Sequence, residues 1–119
     1  MSPESTPDEA AQFLREFKAI VTTARGLDLV PRPENNATVL DLGLNEAAIR
    51  AVILGLSVAD YCAGPKQDES RPGEVWFFGK EINGHEVYIK LKIATAGSVK
   101  IAKCISFHKA DYALRYPLR

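Results

Sequence analysis

The stretch "HEVYIKLKIA", residues 85–94, alternates with the period of a half-buried strand. Val87, Ile89, Leu91 and Ile93 take one side, and Tyr88, Lys90 and Lys92 take the other. Just upstream, "EVWFFGKEI" is rich in strand formers, and Asn83-Gly84 between the two runs is a strong hairpin signal. A two-residue turn there sets Trp76 opposite Leu91, Phe77 opposite Lys90, Phe78 opposite Ile89 and Gly79 opposite Tyr88. Downstream, Ala96 to Ser98 turns the chain into "VKIAKCISFH". A turn centred on Gly97 pairs Lys92 with Ala102, Lys90 with Cys104, Tyr88 with Ser106 and Glu86 with His108. Directly paired residues share a face. One face is therefore predicted to be apolar, from Trp76 and Phe78 through Ile89 and Leu91 to Ile101, Ile105 and Phe107. The other holds Phe77, Tyr88, Lys90, Lys92, Cys104, Ser106 and His108. Lys103 falls out of phase on the apolar side, where an edge or a bulge would accommodate it.

The N-terminal half has a helical period. Thr6 as N-cap, Pro7 at the first helical position and Glu9 three residues after the cap form a capping box. Ala10, Phe13, Phe17, Ile20, Val21 and Ala24 then make an apolar stripe, with Gly26 as the stop. Residues 27–37, with two prolines and "ENNA", predict a loop, and "TVLDLGL" holds at most a short extended piece. Asn45 caps a second helix, whose Ile49, Val52, Ile53 and Leu56 face inward. The segment Ser57 to Gly73 reads as an irregular surface loop after one short turn or strand. The pattern predicts an α+β fold of two N-terminal helices on an antiparallel sheet. Residues 1–7 are expected to be a flexible N-terminus and residues 8–119 one domain.

The composition, 46% hydrophobic and 25% charged over 119 residues, suits one globular unit. No run is long and apolar enough to suggest a membrane span, and the polar, acidic start does not resemble a secretion signal. Cys62 and Cys104 are two distant thiols, and with two histidines they suggest neither a zinc site nor a disulfide framework. A reducing cytoplasm is the expected compartment. The zero net charge hides an uneven distribution. Residues 1–86 carry 14 acidic against 8 basic side chains, whereas residues 87–119 carry 7 basic against the single Asp111. A basic C-terminal third points to a localised contact with a polyanion. A solvated sheet face balanced by the acidic N-terminal region accounts for the same charges.

Cations, a phenol, an imidazole and a flat aromatic on one sheet face suit single-stranded nucleic acid: lysines pair with phosphates, and a base stacks on Phe77 or Tyr88. The economical chemistry on such a face is metal-free RNA cleavage. A base takes the 2′-hydroxyl proton, cations stabilise the charge on pentacoordinate phosphorus, and an acid protonates the leaving 5′ oxygen. His108 suits the proton transfer. Lys90 and Lys92 suit charge stabilisation, and Tyr88 suits hydrogen-bond donation. Each residue also has a structural explanation, and only their convergence on one face favours the chemical one. Gly79, opposite Tyr88, marks either a bulge or room for a ligand.

From about Asp41 to Arg119 the chain resembles the MqsR-like family, the motility quorum-sensing regulator toxins. The resemblance is carried by "VILGLSVADY", "VWFFGKEINGHEVYIKLKI" and "AKCISFHKADYALRYPLR". It implies a RelE-like fold, with helices packed on a curved antiparallel sheet. It also implies a metal-free mRNA endoribonuclease that needs no cofactor and is held inactive by an antitoxin protein encoded beside it. The tyrosine of the family's "VYLKL"-type strand corresponds to Tyr88, and the lysine two positions later to Lys90. The basic residue after "SF" is His108. A lysine soon after the family's "SxxDF/Y" turn has Lys66 as its nearest counterpart, a few residues displaced. The glutamine that follows the family's tryptophan is Phe77 here.

The expected function is therefore an endoribonuclease toxin acting on single-stranded mRNA. Tyr88, Lys90, His108 and Lys66 would be catalytic, Lys92 and Arg115 would bind phosphate, and Phe77 would stack a base. The rival from another class is an RNA- or protein-binding module with the same fold and no chemistry. A small-ligand domain using the loop at 57–73 is a third, less supported option.

Overall fold

In a computed structural model, which describes residues 5–119, three helices precede most of a five-stranded sheet. Helix α1 (Pro7–Val21) starts as its capping box dictates: Thr6 Oγ1 accepts from the Glu9 amide at 3.2 Å, and Glu9 Oε1 accepts from the Thr6 amide at 2.8 Å. Its buried stripe is Ala10, Phe13, Leu14, Phe17 and Val21. Residues 1–4 of the expected flexible N-terminus lie outside the described residues. Within its remainder, Ser5 makes two hydrogen bonds to the segment 61–64. The Ser5 amide donates to Tyr61 Oη at 2.9 Å, and its hydroxyl donates to the Gly64 carbonyl at 2.8 Å.

The segment predicted as loop and short extended piece holds two elements. Strand β1 (Leu27–Leu29) runs parallel to β5 (Val99–Lys109), so the sheet is mixed rather than purely antiparallel. Helix α2 (Pro33–Asp41) follows, which makes three helices where two were expected. Its apolar pattern is weak because it presents polar groups to the sheet. Buried Asn35 donates to the carbonyls of Val30 at 2.9 Å and Ile105 at 3.0 Å, and accepts from the Phe107 amide at 2.9 Å. Thr38 Oγ1 accepts from the Lys109 amide at 3.1 Å. Where β1 ends, these side chains take over its role along the edge of β5. Helix α3 (Glu46–Leu54) is capped by Asn45, which accepts from the Ala48 amide at 2.8 Å, as predicted.

A single 3₁₀ turn (Val58–Asp60) leads into β2 (Tyr61–Gln67), where one short turn or strand before a loop was expected. β3 (Glu74–Ile82) and β4 (His85–Ala96) form the hairpin at Asn83-Gly84, and all four predicted pairs are observed. The sheet order is β1-β5-β4-β3-β2. Pro65, which lacks a ladder donor, therefore lies in an edge strand.

The β4–β5 register differs from prediction. The turn is tight, with Ala96 opposite Val99, which moves the pairing by one residue. A bulge at Ile105, between the pairs Lys90–Ser106 and Leu91–Cys104, moves it by one more. Two single steps restore the alternation, so Tyr88 keeps its face but pairs with His108 instead of Ser106. Between turn and bulge the strand has the opposite phase. Cys104 therefore enters the core, and Lys103, opposite Lys92, joins the open face with Ile101 and Ile105. The out-of-phase lysine was the visible sign of this shift.

Helices α1 and α3 bury one sheet face. Phe13 stacks on Trp76 with ring centroids 4.7 Å apart, and Phe17, Ile53, Phe78, Ile89, Leu91 and Phe107 complete the core. No helix among the described residues is long and apolar enough to cross a membrane.

Candidate functional site

The opposite face carries the chemistry-bearing side chains. Phe77 projects from β3, Tyr88 and Lys90 from β4, His108 from β5 and Lys66 from β2. The ring centroids of Phe77 and Tyr88 are 6.0 Å apart, and those of Tyr88 and His108 are 5.2 Å apart. Lys66 and Lys90 bring their ammonium groups to 5.3 and 5.7 Å from the centre of the Phe77 ring. Five of the seven residues singled out from the sequence thus form one continuous surface.

Their states differ. Burial raises the Tyr88 pKa, with a smaller contribution from Tyr112, so its phenol stays protonated at neutral pH and donates rather than accepts a proton. His108 Nδ1 lies 3.0 Å from the Lys109 carbonyl, which can only accept. Nδ1 must then carry hydrogen, and a neutral ring leaves Nε2 as the basic nitrogen. No ion pair among the described residues engages Lys66 or Lys90.

Lys92 and Arg115 stand apart from this group. Lys92 is buried, with its ammonium 2.6 Å from Asp68, so its charge is spent inside the protein. The hydrogen bond from Lys92, more than any other contact, holds the Asp68 carboxyl at about 2. A depressed folded-state value means that this pair stabilises above the ordinary carboxylate range and fades as pH falls through it. The loop at 68–73 is therefore expected to loosen between about pH 4 and pH 2. Amide exchange at Ser70, whose N–H donates to Asp68 at 2.9 Å, should accelerate there, and Asp68→Asn should remove the transition. Unchanged exchange at Ser70 across that range would assign the loop's order to other contacts. Arg115 is exposed on the C-terminal segment and makes no ion pair among the described residues.

That segment also settles the role of Gly79, which is neither a bulge nor an open ligand space. A methyl group there would lie 2.5 Å from Tyr116 Oη and 2.6 Å from Leu114 Cδ1. Glu86 clamps the segment, accepting from the Leu114 amide at 3.0 Å and the Tyr116 hydroxyl at 2.7 Å. Arg119 stacks 3.9 Å above the Tyr116 ring. The tail walls the site at the Glu86 end, leaving a cleft of about 90 Å³ among Tyr88, His108, Asp111 and Tyr112. Gly79→Ala is expected to displace Tyr116 from Glu86 and speed tryptic cleavage after Arg115. An unchanged cleavage rate would mean that the tail absorbs the methyl group by a small shift.

Several cations near the site escaped the sequence reading. Arg32, at the N-cap of α2, reaches the Ser106 hydroxyl at 3.3 Å, and Arg71 and Lys103 line the same groove as Lys90. Arg32 and Arg71 lay in segments expected to be loops, and only the phase of Lys103 gave a signal. Among the described residues, no group of three or more His, Cys, Asp or Glu side chains is placed to hold a metal. No family model, curated protein or solved structure matches the chain.

Proposed function

We propose that this protein is an endoribonuclease toxin of the MqsR-like kind, with a RelE-like fold, that cleaves single-stranded mRNA in the cytoplasm without a metal and is restrained by an adjacently encoded antitoxin. The observation that carries this reading is the continuous surface of Lys66, Phe77, Lys90, Tyr88 and His108 on the uncovered sheet face. The sequence resemblance supplies the reaction class. His108 Nε2 takes the proton of the 2′-hydroxyl, whose oxygen bonds to phosphorus while the bond to the 5′ oxygen breaks. Solvent delivers a proton to that leaving oxygen. Lys66 and Lys90 offset the charge gathering on the phosphoryl oxygens, and the protonated Tyr88 hydroxyl donates a hydrogen bond to one of them. Phe77 offers its ring to a base, with the lysines turning to the flanking phosphates.

RNA incubated with the purified protein in EDTA should yield 2′,3′-cyclic phosphate and 5′-hydroxyl ends at the rate seen without chelator. Expression should arrest growth, and co-expression of the neighbouring open reading frame should relieve the arrest. One observation favours the binding-module alternative: Lys92, one of the two residues expected to bind phosphate, is neutralised by Asp68. Salt-sensitive RNA binding with no cleavage and no growth arrest would establish that alternative.

A further inference from the structure

We infer that RNA leaves the candidate site along β4 and lies in a second, deeper groove, where Arg32, Arg71 and Lys103 hold the phosphates of nucleotides next to the reacting one. This rests on the RNA-cleaving reading and adds the path of the strand. The tail held by Glu86 closes the site at the Tyr116 end. At the other end, past Lys90, the sheet opens into a groove of about 860 Å³ between the 68–72 loop and the start of α2. Lys90 belongs to both surfaces, so the groove continues the site without a break.

The groove has the two properties that single-stranded nucleic acid needs. Its floor includes Ala94, which faces outward by the alternation of β4, and Ile101 and Ile105, which the register shift and bulge in β5 turn to the open face. Its rim is cationic. The Lys92–Asp68 pair cancels itself, leaving Arg32, Arg71, Lys90 and Lys103. Arg71 makes no ion pair among the described residues. Arg32 meets Glu34 at 3.6 Å and Lys103 meets Asp28 at 3.4 Å, both in partly exposed pairs that hold their cations weakly and can give way to phosphate. From Tyr88 to Ala94 the strand covers about 20 Å at ~3.3 Å per residue, room for several nucleotides. A basic groove alone would also suit an acidic peptide. Continuity with Phe77 and Tyr88, and an apolar floor for sugars and bases, favour RNA.

The test is binding of a short 2′-O-methyl RNA, which cannot be cut, followed by fluorescence anisotropy over a range of salt concentrations. Arg32→Gln/Arg71→Gln should weaken binding about tenfold and lower the salt slope by ~1.4, at about 0.7 per lost phosphate contact. Because Arg32 also braces Ser106, Arg71→Gln/Lys103→Gln serves as a second pair with the same expected result. Arg25→Gln/Arg50→Gln removes the same charge from exposed positions, one in the turn after α1 and one on α3, and should change neither quantity. Equal losses in groove and control variants, or no loss in either groove pair, would overturn the inference while leaving the functional reading intact. Poly-glutamate binding as tightly as RNA, with the same dependence on the groove arginines, would overturn it in favour of an acidic protein partner. Failure of the wild-type protein to bind RNA at all would defeat both readings.

Discussion

His108→Ala should slow RNA cleavage by about 10²- to 10⁴-fold while leaving RNA binding within a few-fold of wild type, because a positioned general base contributes on that scale. The geometry makes the expectation specific. His108 is half-buried at the end of β5, its Nδ1 is 3.0 Å from the Lys109 carbonyl, and its ring is 5.2 Å from the Tyr88 ring. Truncation to alanine removes the free Nε2 and leaves Phe77, Lys66 and Lys90 in place to bind. Tyr88→Phe keeps the ring contacts and removes one hydrogen-bond donor, so its loss should also fall on turnover rather than affinity. Cleavage by His108→Ala at the wild-type rate would remove the imidazole from the mechanism. A parallel loss of binding and cleavage would reduce its role to holding RNA.

The largest stability effect is expected at Asn35, where alanine should cost about 3 kcal/mol. The side chain is fully buried and satisfies two carbonyls and one amide, two of these three groups belonging to β5. Alanine leaves the Phe107 amide without a partner and the Ile105 carbonyl with only the Arg32 guanidinium at 3.5 Å, while the Val30 carbonyl keeps the Arg32 amide at 2.9 Å; an orphaned buried amide costs more than the net value of the bond that it lost. The melting temperature should fall by on the order of 10 °C. The Phe107 amide should lose its protection from hydrogen exchange before the β3–β4 hairpin does. A loss below about 1 kcal/mol would mean that water replaces the side chain at the sheet edge.

These two residues differ in how visible they were beforehand. His108 was legible because it ends an alternating strand, and a net two-residue change of register returns a side chain to its original face. Asn35 was not, because a polar residue near a proline reads as loop unless the strand edge that it serves is known. The same blindness covered β1, α2 and most of β2. These elements are short or edge-placed, their apolar periodicity is weak, and their backbone partners are distant in sequence. The closure of the site by Tyr116 and Leu114 lay out of reach for the same reason, although Gly79 stood out as a gap.

By itself the sequence determined what depends on neighbours along the chain: the capped helices at Thr6 and Asn45, the Asn83-Gly84 hairpin with its register, and the shared face of Phe77, Tyr88 and Lys90. Capping, tight turns and two-residue alternation act over a few residues, so their energies are written locally. Only the tertiary structure decided which cations remain free. It neutralised Lys92 with Asp68, left Arg71 unpaired among the described residues, and brought Lys103 onto the open face through a bulge. Charge pairing between distant segments and the phase of a bulged strand are set by how layers meet, and no local pattern encodes that meeting.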